Sequence, residues 1–175
     1  MRGVLFVACL LGLAACDQGV APGGAGAQTQ AVAGALTDSD RATILLSQNL
    51  SADAAGQVEN ECGERVTPQF LPAEMSGAVG SATLLAMSGG PNYASCYGDG
   101  PGLTLLKREG ASWRAIYSSR GGFMAILQSQ TNGVRDIAFA GPGFEHPLHV
   151  WNGTVYTPAG RSVADAAMSS ATMLP

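Results

Sequence analysis

Two histidines offer the most direct route to metal chemistry in this chain. His146 and His149 stand three residues apart in the stretch EHPLH, with Glu145 beside the first of them, and imidazole and carboxylate groups are common metal ligands. Residues three apart share a face of a helix, but Pro147 and the surrounding pattern favour a strand, where they point to opposite faces. We therefore expect no metal site here, and we expect both histidines to be exposed loop residues.

The other chemically capable residues lack the partners that catalysis needs. Glu59, Glu61 and Glu64 surround Cys62, but catalytic carboxylates need burial or a close partner, so a solvated acidic face is expected. The serine-rich stretches contain no G-x-S-x-G motif, and the GGPN and AGPG segments lack the lysine and following helix of a phosphate loop. The sequence therefore assigns no catalytic residue and no cofactor, and an enzymatic role stays open.

The first fifteen residues predict a secretory signal peptide. One charged residue, Arg2, precedes an apolar run from Val4 to Ala15. As a helix this run would rise about 18 Å at about 1.5 Å per residue, whereas the hydrocarbon core is about 30 Å thick. A charged start, a short apolar run and small residues at its end are typical of a signal peptide, here residues 1–15.

The end of that run adds a lipidation signal. Leu13-Ala14-Ala15-Cys16 resembles the lipobox of bacterial lipoproteins. The resemblance implies cleavage before Cys16, a diacylglycerol on its sulfur, further acylation such as palmitate in many bacteria, and a lipid-anchored position on the periplasmic side of a membrane. Asp17 resembles the signal that retains enteric lipoproteins at the inner membrane, while the outer membrane stays an alternative.

The remaining cysteines predict one disulfide. Of four cysteines, Cys9 leaves with the signal peptide and Cys16 takes the lipid. Cys62 and Cys96 are then left in an oxidising, exported setting, where cysteines pair. Neither lies in a C-x-x-C motif, and no further Cys or close His completes a zinc site.

Composition limits the partners and divides the chain. The net charge is -4, and without a Lys/Arg run we expect no nucleic-acid partner. Residues 16–36, rich in Gly, Ala and Gln, predict a flexible tether behind the lipidated cysteine. Residues 37–161 are predicted to form a single β-rich globular domain, and residues 162–175 a low-complexity tail that is either a weak helix or frayed.

Within the domain the pattern predicts a mainly β (α+β) fold. A residue between Thr37 and Asp40 is expected to cap a short N-terminal helix at about residues 39–49. From Ser81 onward, short apolar runs alternate with Gly-rich turns, which favours an antiparallel β meander or small open barrel. One hairpin is expected at Asn152-Gly153 as a type I′ turn, because both residues tolerate positive φ.

The strands also contain two pseudo-repeats. Each reads as strand, Gly/Pro loop, strand, turn and aromatic strand, at a spacing of about 45 residues that suits blade-like β units. The equivalences would be Leu84–Ala86 with Ile137–Phe139, Leu103–Leu106 with Leu148–Trp151, and Trp113 with Tyr156.

The second of these units carries a family resemblance. TNGVRDIAFAGPG resembles a degenerate FG-GAP, or integrin-type, β repeat of secreted bacterial proteins. The calcium loop of that family needs several acidic residues, and only Asp136 matches, so calcium binding is not implied. Two units are too few to close a propeller.

These features predict a lipid-anchored envelope binding or scaffolding module. Its partners would be the membrane, through the lipid on Cys16, and an envelope protein or glycan. The alternatives are an envelope hydrolase with an unrecognised site and an inhibitor of a cell-wall hydrolase. Aromatic residues in or beside the Gly/Pro loops would either anchor the partner or belong to the core. This predicted rim comprises Tyr93, Tyr97, Pro142, Phe144, His146 and Trp151.

Overall fold

A computed structural model describes residues 36–87, 96–98, 100–140 and 145–175. The predicted signal peptide, Cys16, and the rim residues Tyr93, Pro142 and Phe144 lie outside these ranges. The helices are α1 (Asp38–Ser47) and α2 (Asp165–Ser169). The strands are β1 (Val58–Glu59), β2 (Arg65–Val66), β3 (Gln69–Glu74), β4 (Ser81–Met87), β5 (Gly102–Glu109), β6 (Ser112–Arg120), β7 (Phe123–Thr131), β8 (Val134–Ala140), β9 (Pro147–Trp151), β10 (Tyr156–Ser162) and β11 (Thr172–Leu174).

Two antiparallel meanders form most of the domain. The first sheet has the order β3-β4-β5-β6, and the second has the order β10-β9-β8-β7-β11. The strands β1 and β2 make a separate small pair. The predicted mainly β, antiparallel fold class is thus confirmed, and the sheets do not close into a barrel.

The two sheets pack against each other, and a helix covers the outer face of each. Leu84 and Ala86 of β4 point into the core between the sheets, together with Ile137 and Phe139 of β8. Leu85 points the other way, into a cluster with Ile44 and Leu45 of α1. Burial on both faces explains why β4 is a nearly continuous apolar run instead of an alternating pattern.

Helix α1 begins at a capping box. The Thr37 hydroxyl accepts a hydrogen bond from the Asp40 amide at 3.1 Å, and the Asp40 carboxylate accepts one from the Thr37 amide at 3.2 Å. This reciprocal pair satisfies two backbone donors that the first turn leaves free. The helix therefore starts at Asp38, and its ten residues end at Ser47, close to the predicted range.

The C-terminal residues, predicted to be a tail that is either a weak helix or frayed, contain a short helix and a strand. Residues 165–169 form α2, whose Met168 packs with Leu127 and Leu148 on the outer face of the second sheet. Strand β11 then pairs with β7. The small apolar residues of this segment are stabilised by the sheet that they cover, which propensity alone does not reveal.

The predicted type I′ turn was assigned to the wrong Asn-Gly pair. At Asn152-Gly153 only the glycine has a positive φ, of 102°. The Asn152 side chain accepts hydrogen bonds from the amides of Thr154 and Val155, at 2.9 Å each, which makes a longer, side-chain-supported loop. Both residues are at positive φ at Asn132 (54°) and Gly133 (74°), where β7 pairs directly with β8. That turn has the backbone signature of type I′.

The pseudo-repeats share their strand order but not every residue match. Strands β4-β5-β6 and β8-β9-β10 are both three consecutive antiparallel neighbours. However, Trp113 lies in the cluster beneath α1, whereas its proposed equivalent Tyr156 lies between the sheets. A bulge between Leu105 and Leu106 shifts the register, and a shift of one residue exchanges the two faces of a strand.

The disulfide prediction is confirmed. Cys62 and Cys96 are bonded, with their Cα atoms 5.7 Å apart, within the usual range of about 4.4–6.8 Å. Cys96 is buried, whereas Cys62 is exposed in the turn between β1 and β2. The bridge therefore ties an exposed turn to the connection between β4 and β5.

Candidate functional site

The predicted rim residues do not share one surface where the structure describes them. Tyr97 is 5% exposed and packs beneath α1, while Trp151 is 2% exposed and packs between the sheets. His146 lies beside α2, where its Nε2 is 3.3 Å from the Asp165 carboxylate. Tyr97 and Trp151 are thus core residues, which was the alternative left open for these aromatics.

Neither histidine is an exposed loop residue. The Nδ1 of His146 contacts the Phe139 carbonyl oxygen at 3.1 Å, and its side chain is only 21% exposed. His149 lies within β9, because this strand begins already at Pro147. Its ring packs at 5.1 Å from Tyr117 and 5.5 Å from Phe139, centroid to centroid. The expectation of two exposed histidines was therefore wrong.

His149 belongs to a shallow aromatic groove between β6 and β10. The groove has a volume of about 360 Å³ and includes Tyr117 and Tyr156. Burial raises the pKa of both tyrosines and lowers the pKa of His149, so all three are held in their neutral forms. The Tyr156 hydroxyl donates to the Arg135 carbonyl oxygen at 2.6 Å. These contacts fit side chains that stabilise the sheet edges.

The acidic residues around the disulfide do not form a paired carboxylate site. Glu59 and Glu61 are exposed, and Glu61 lies 3.3 Å from the Arg120 guanidinium. The Glu64 carboxylate is near the Asn60 amide nitrogen, at 3.5 Å. Across the described ranges, no three His, Cys, Asp or Glu side chains come together as a group that could hold a metal ion.

A different set of residues forms a concave site on the first sheet. Between the first turns of α1 and the outer face of the first sheet lies a pocket of about 480 Å³, a size typical of small-ligand sites. We call it the arginine–aromatic pocket. It is lined by Leu36, Asp40, Arg41, Phe70, Pro72, Ser81, Ala82, Thr83, Arg108 and Trp113.

Two guanidinium groups stack on aromatic rings in this pocket. The Arg41 guanidinium carbon lies 5.2 Å from the centre of the Phe70 ring, and that of Arg108 lies 5.2 Å from the Trp113 ring. Both distances are within the range of cation–π contacts. Each pair joins separate elements, α1 to β3 and β5 to β6, so the stacking holds both charges in place.

The charges of the two arginines are compensated unequally. Arg108 forms an ion pair with Asp40. The Thr37 hydroxyl and amide and the Arg108 guanidinium hold the pKa of Asp40 below its usual value, so the carboxylate stays charged near neutral pH. Among the residues that the structure describes, no carboxylate lies within ion-pair distance of Arg41. Arg41 therefore offers an uncompensated guanidinium at the pocket.

One wall of the pocket also contains an unsatisfied donor. Trp113 is 8% exposed, and its indole Nε1 is buried with no hydrogen-bond partner in the described part of the chain. A buried donor without an acceptor costs about 1–3 kcal/mol. Such groups are uncommon in folded proteins.

This pocket was not predicted from the sequence. Arg41, Phe70, Arg108 and Trp113 come from four different elements, and no short motif links them. One local signal was available: Arg108 and Trp113 stand on either side of Glu109-Gly110-Ala111-Ser112, a turn-forming stretch that would place them opposite each other on neighbouring strands. The position of α1 over the sheet, which brings Arg41 to Phe70, required the tertiary structure.

Comparisons with known proteins add no relative: no protein-family model, curated protein or solved structure matches this chain. Within the described residues, neither helix has the length and apolar character that crossing a bilayer requires.

Proposed function

We propose that this protein is a lipid-anchored binding module of the bacterial cell envelope, held through Cys16 on the periplasmic side of a membrane. The binding role rests on one observation, the uncompensated Arg41 guanidinium stacked on Phe70 at the arginine–aromatic pocket. Guanidinium groups, aromatic faces and a fixed carboxylate recognise a partner by charge and shape. The partner is an envelope protein or glycan.

The chemistry of the pocket supports binding over catalysis. The guanidinium groups of Arg41 and Arg108 and the indole nitrogen of Trp113 donate hydrogen bonds and do not accept them. Ser81 and Thr83 also line the pocket, but no histidine lies beside them to take a proton from a hydroxyl group. The side chains present can therefore orient a ligand, which is the task of a binding module.

The location of the pocket agrees with an anchored protein. Leu36 lines the pocket and is the last residue of the predicted tether, which begins at Cys16. A flexible chain of this composition spans roughly 25 Å on average, at about 5–6 Å × √n for twenty residues. The tether would thus hold the pocket near the membrane, facing other envelope components.

Replacing Cys16 with Ser tests the anchor. The variant should incorporate no labelled palmitate and should leave the membrane fraction, because a hydroxyl group does not accept the diacylglycerol through a thioether. Replacing Cys9 with Ser is the matched control and should change neither result. Equal fractionation of wild type and the Cys16→Ser variant would contradict the anchor.

Cross-linking in intact cells tests the binding role of the pocket. A photo-reactive residue in place of Ser81, at the pocket wall, should capture an envelope component in the wild-type background. Capture should be lost with Arg41→Glu, which reverses the uncompensated charge, and retained with Arg161→Glu, which makes the same change at an exposed position of β10. Capture that is equal in both variants would show that the pocket does not bind the partner.

A further inference from the structure

The geometry of the arginine–aromatic pocket points to a more specific ligand, and we infer that it binds the C-terminal carboxylate of a peptide that ends in an apolar residue. This inference rests on the proposed binding function and deepens it by naming the chemical class of the ligand. It is carried by three properties of the pocket: its net charge, its apolar walls and its unsatisfied donor.

The charge of the pocket matches a single negative charge. Among the side chains that line the pocket, Arg41 and Arg108 are cationic and Asp40, the ion-pair partner of Arg108, is anionic, which leaves one net positive charge in the lining; the Glu74 carboxylate lies at its edge, where it accepts a hydrogen bond from Ser81 at 2.9 Å. A peptide carboxylate would neutralise that charge, whereas a doubly charged phosphate would leave an excess negative charge beside Asp40. A guanidinium also binds a carboxylate through two parallel hydrogen bonds, which gives directional recognition.

The walls of the pocket fit the apolar end of a peptide. Leu36, Phe70, Pro72 and Trp113 supply apolar surface around the charged groups. The volume of about 480 Å³ accommodates two or three residues and lies in the usual range for small-ligand sites. Burying an apolar side chain here would add binding free energy that a free inorganic anion could not provide.

The third property is the unsatisfied indole of Trp113. Its Nε1 has no acceptor among the described residues. The backbone carbonyl oxygens of a peptide are hydrogen-bond acceptors. A peptide carbonyl oxygen that reached this donor would satisfy it, in addition to the pairing of the terminal carboxylate with Arg41.

Tryptophan fluorescence can measure this binding directly. The chain has two tryptophans, so Trp151→Phe leaves Trp113 as the single reporter at the pocket. The probes are N-acetyl-Ala-Phe with a free carboxylate and the same dipeptide with a C-terminal amide. Isothermal titration calorimetry of the wild-type protein with both probes provides a second measurement that does not depend on the substitution.

The acid should bind roughly tenfold to a hundredfold more tightly than the amide, because a hydrogen bond to a charged group is worth about 1.5–3 kcal/mol. Arg41→Gln should remove most of that difference, and Arg161→Gln should leave it unchanged. Equal binding of acid and amide, equal binding by Arg41→Gln and wild type, or no heat and no fluorescence change with the acid would each overturn the inference. So would binding of the neutral oligosaccharide chitotriose in place of the acid.

Failure of this inference can be told apart from failure of the proposed function. If cross-linking in cells depends on Arg41 while neither dipeptide binds, the ligand class is wrong and the binding function stands. If cross-linking also shows no dependence on Arg41, both proposals fail.

Discussion

Removing the Cys62–Cys96 disulfide should lower the free energy of unfolding by roughly 3–4 kcal/mol. The two cysteines are 34 residues apart in sequence. A cross-link over a loop of that length lowers the conformational entropy of the unfolded chain, which destabilises the unfolded state by about this amount in the chain-entropy model. The expected loss is a large part of the 5–15 kcal/mol that stabilises a typical domain. Urea denaturation of the oxidised protein and of the Cys62→Ala/Cys96→Ala variant measures it.

The double variant separates the cross-link from other effects of reduction. Adding dithiothreitol should destabilise the wild-type protein to about the level of the variant and should leave the variant itself unchanged. Cys62→Ala alone would be a poorer test, because it leaves a free thiol on the buried Cys96. A difference below about 1 kcal/mol between the oxidised protein and the double variant would mean that the bridge does not constrain the unfolded chain.

Local sequence signals were sufficient for the features that depend on neighbouring residues. The cap of α1 at Thr37 and Asp40 is encoded within four residues, and the apolar runs from Ser81 onward mark the strands by their short length and the Gly-rich turns between them. The disulfide followed from elimination among four cysteines. These features led to the correct fold class before any tertiary contact was known.

Features that depend on contacts between distant parts of the chain could not be predicted from local sequence. The segment at residues 165–174 forms α2 and β11 because the second sheet stabilises it, and its own composition gives only a weak signal. Bulges, such as the one between Leu105 and Leu106, change which face a side chain occupies and so broke the proposed residue matches between the pseudo-repeats. The Arg41–Phe70 contact joins positions 29 residues apart along the chain, and no local pattern encodes it.

The contact between two turns gives a further test of how the sheets are held together. The turn between β3 and β4 lies on the turn between β7 and β8: the Arg135 amide donates to the Met75 carbonyl oxygen at 2.7 Å, and the Ser76 hydroxyl donates to the Gly133 carbonyl oxygen at 3.3 Å. Gly77 sits at the point of closest approach, with a φ of +53°. A Cβ atom there would overlap the carbonyl oxygen of Gly133.

Gly77→Ala should therefore destabilise the protein by about 2–4 kcal/mol, since the substitution combines an unfavourable left-handed backbone with a steric overlap against backbone atoms that cannot rotate away. Gly80→Ala is the matched control, because Gly80 lies in the same turn at a φ of +64° with no atom near its absent Cβ. Gly80→Ala should lower the free energy of unfolding by only about 1 kcal/mol, the cost of placing a non-glycine residue at a positive φ. Urea midpoints of the two variants compare these costs directly.

Equal destabilisation by both substitutions would mean that the two turns are not in tight contact at Gly77, and that this contact contributes little to the packing of the two sheets.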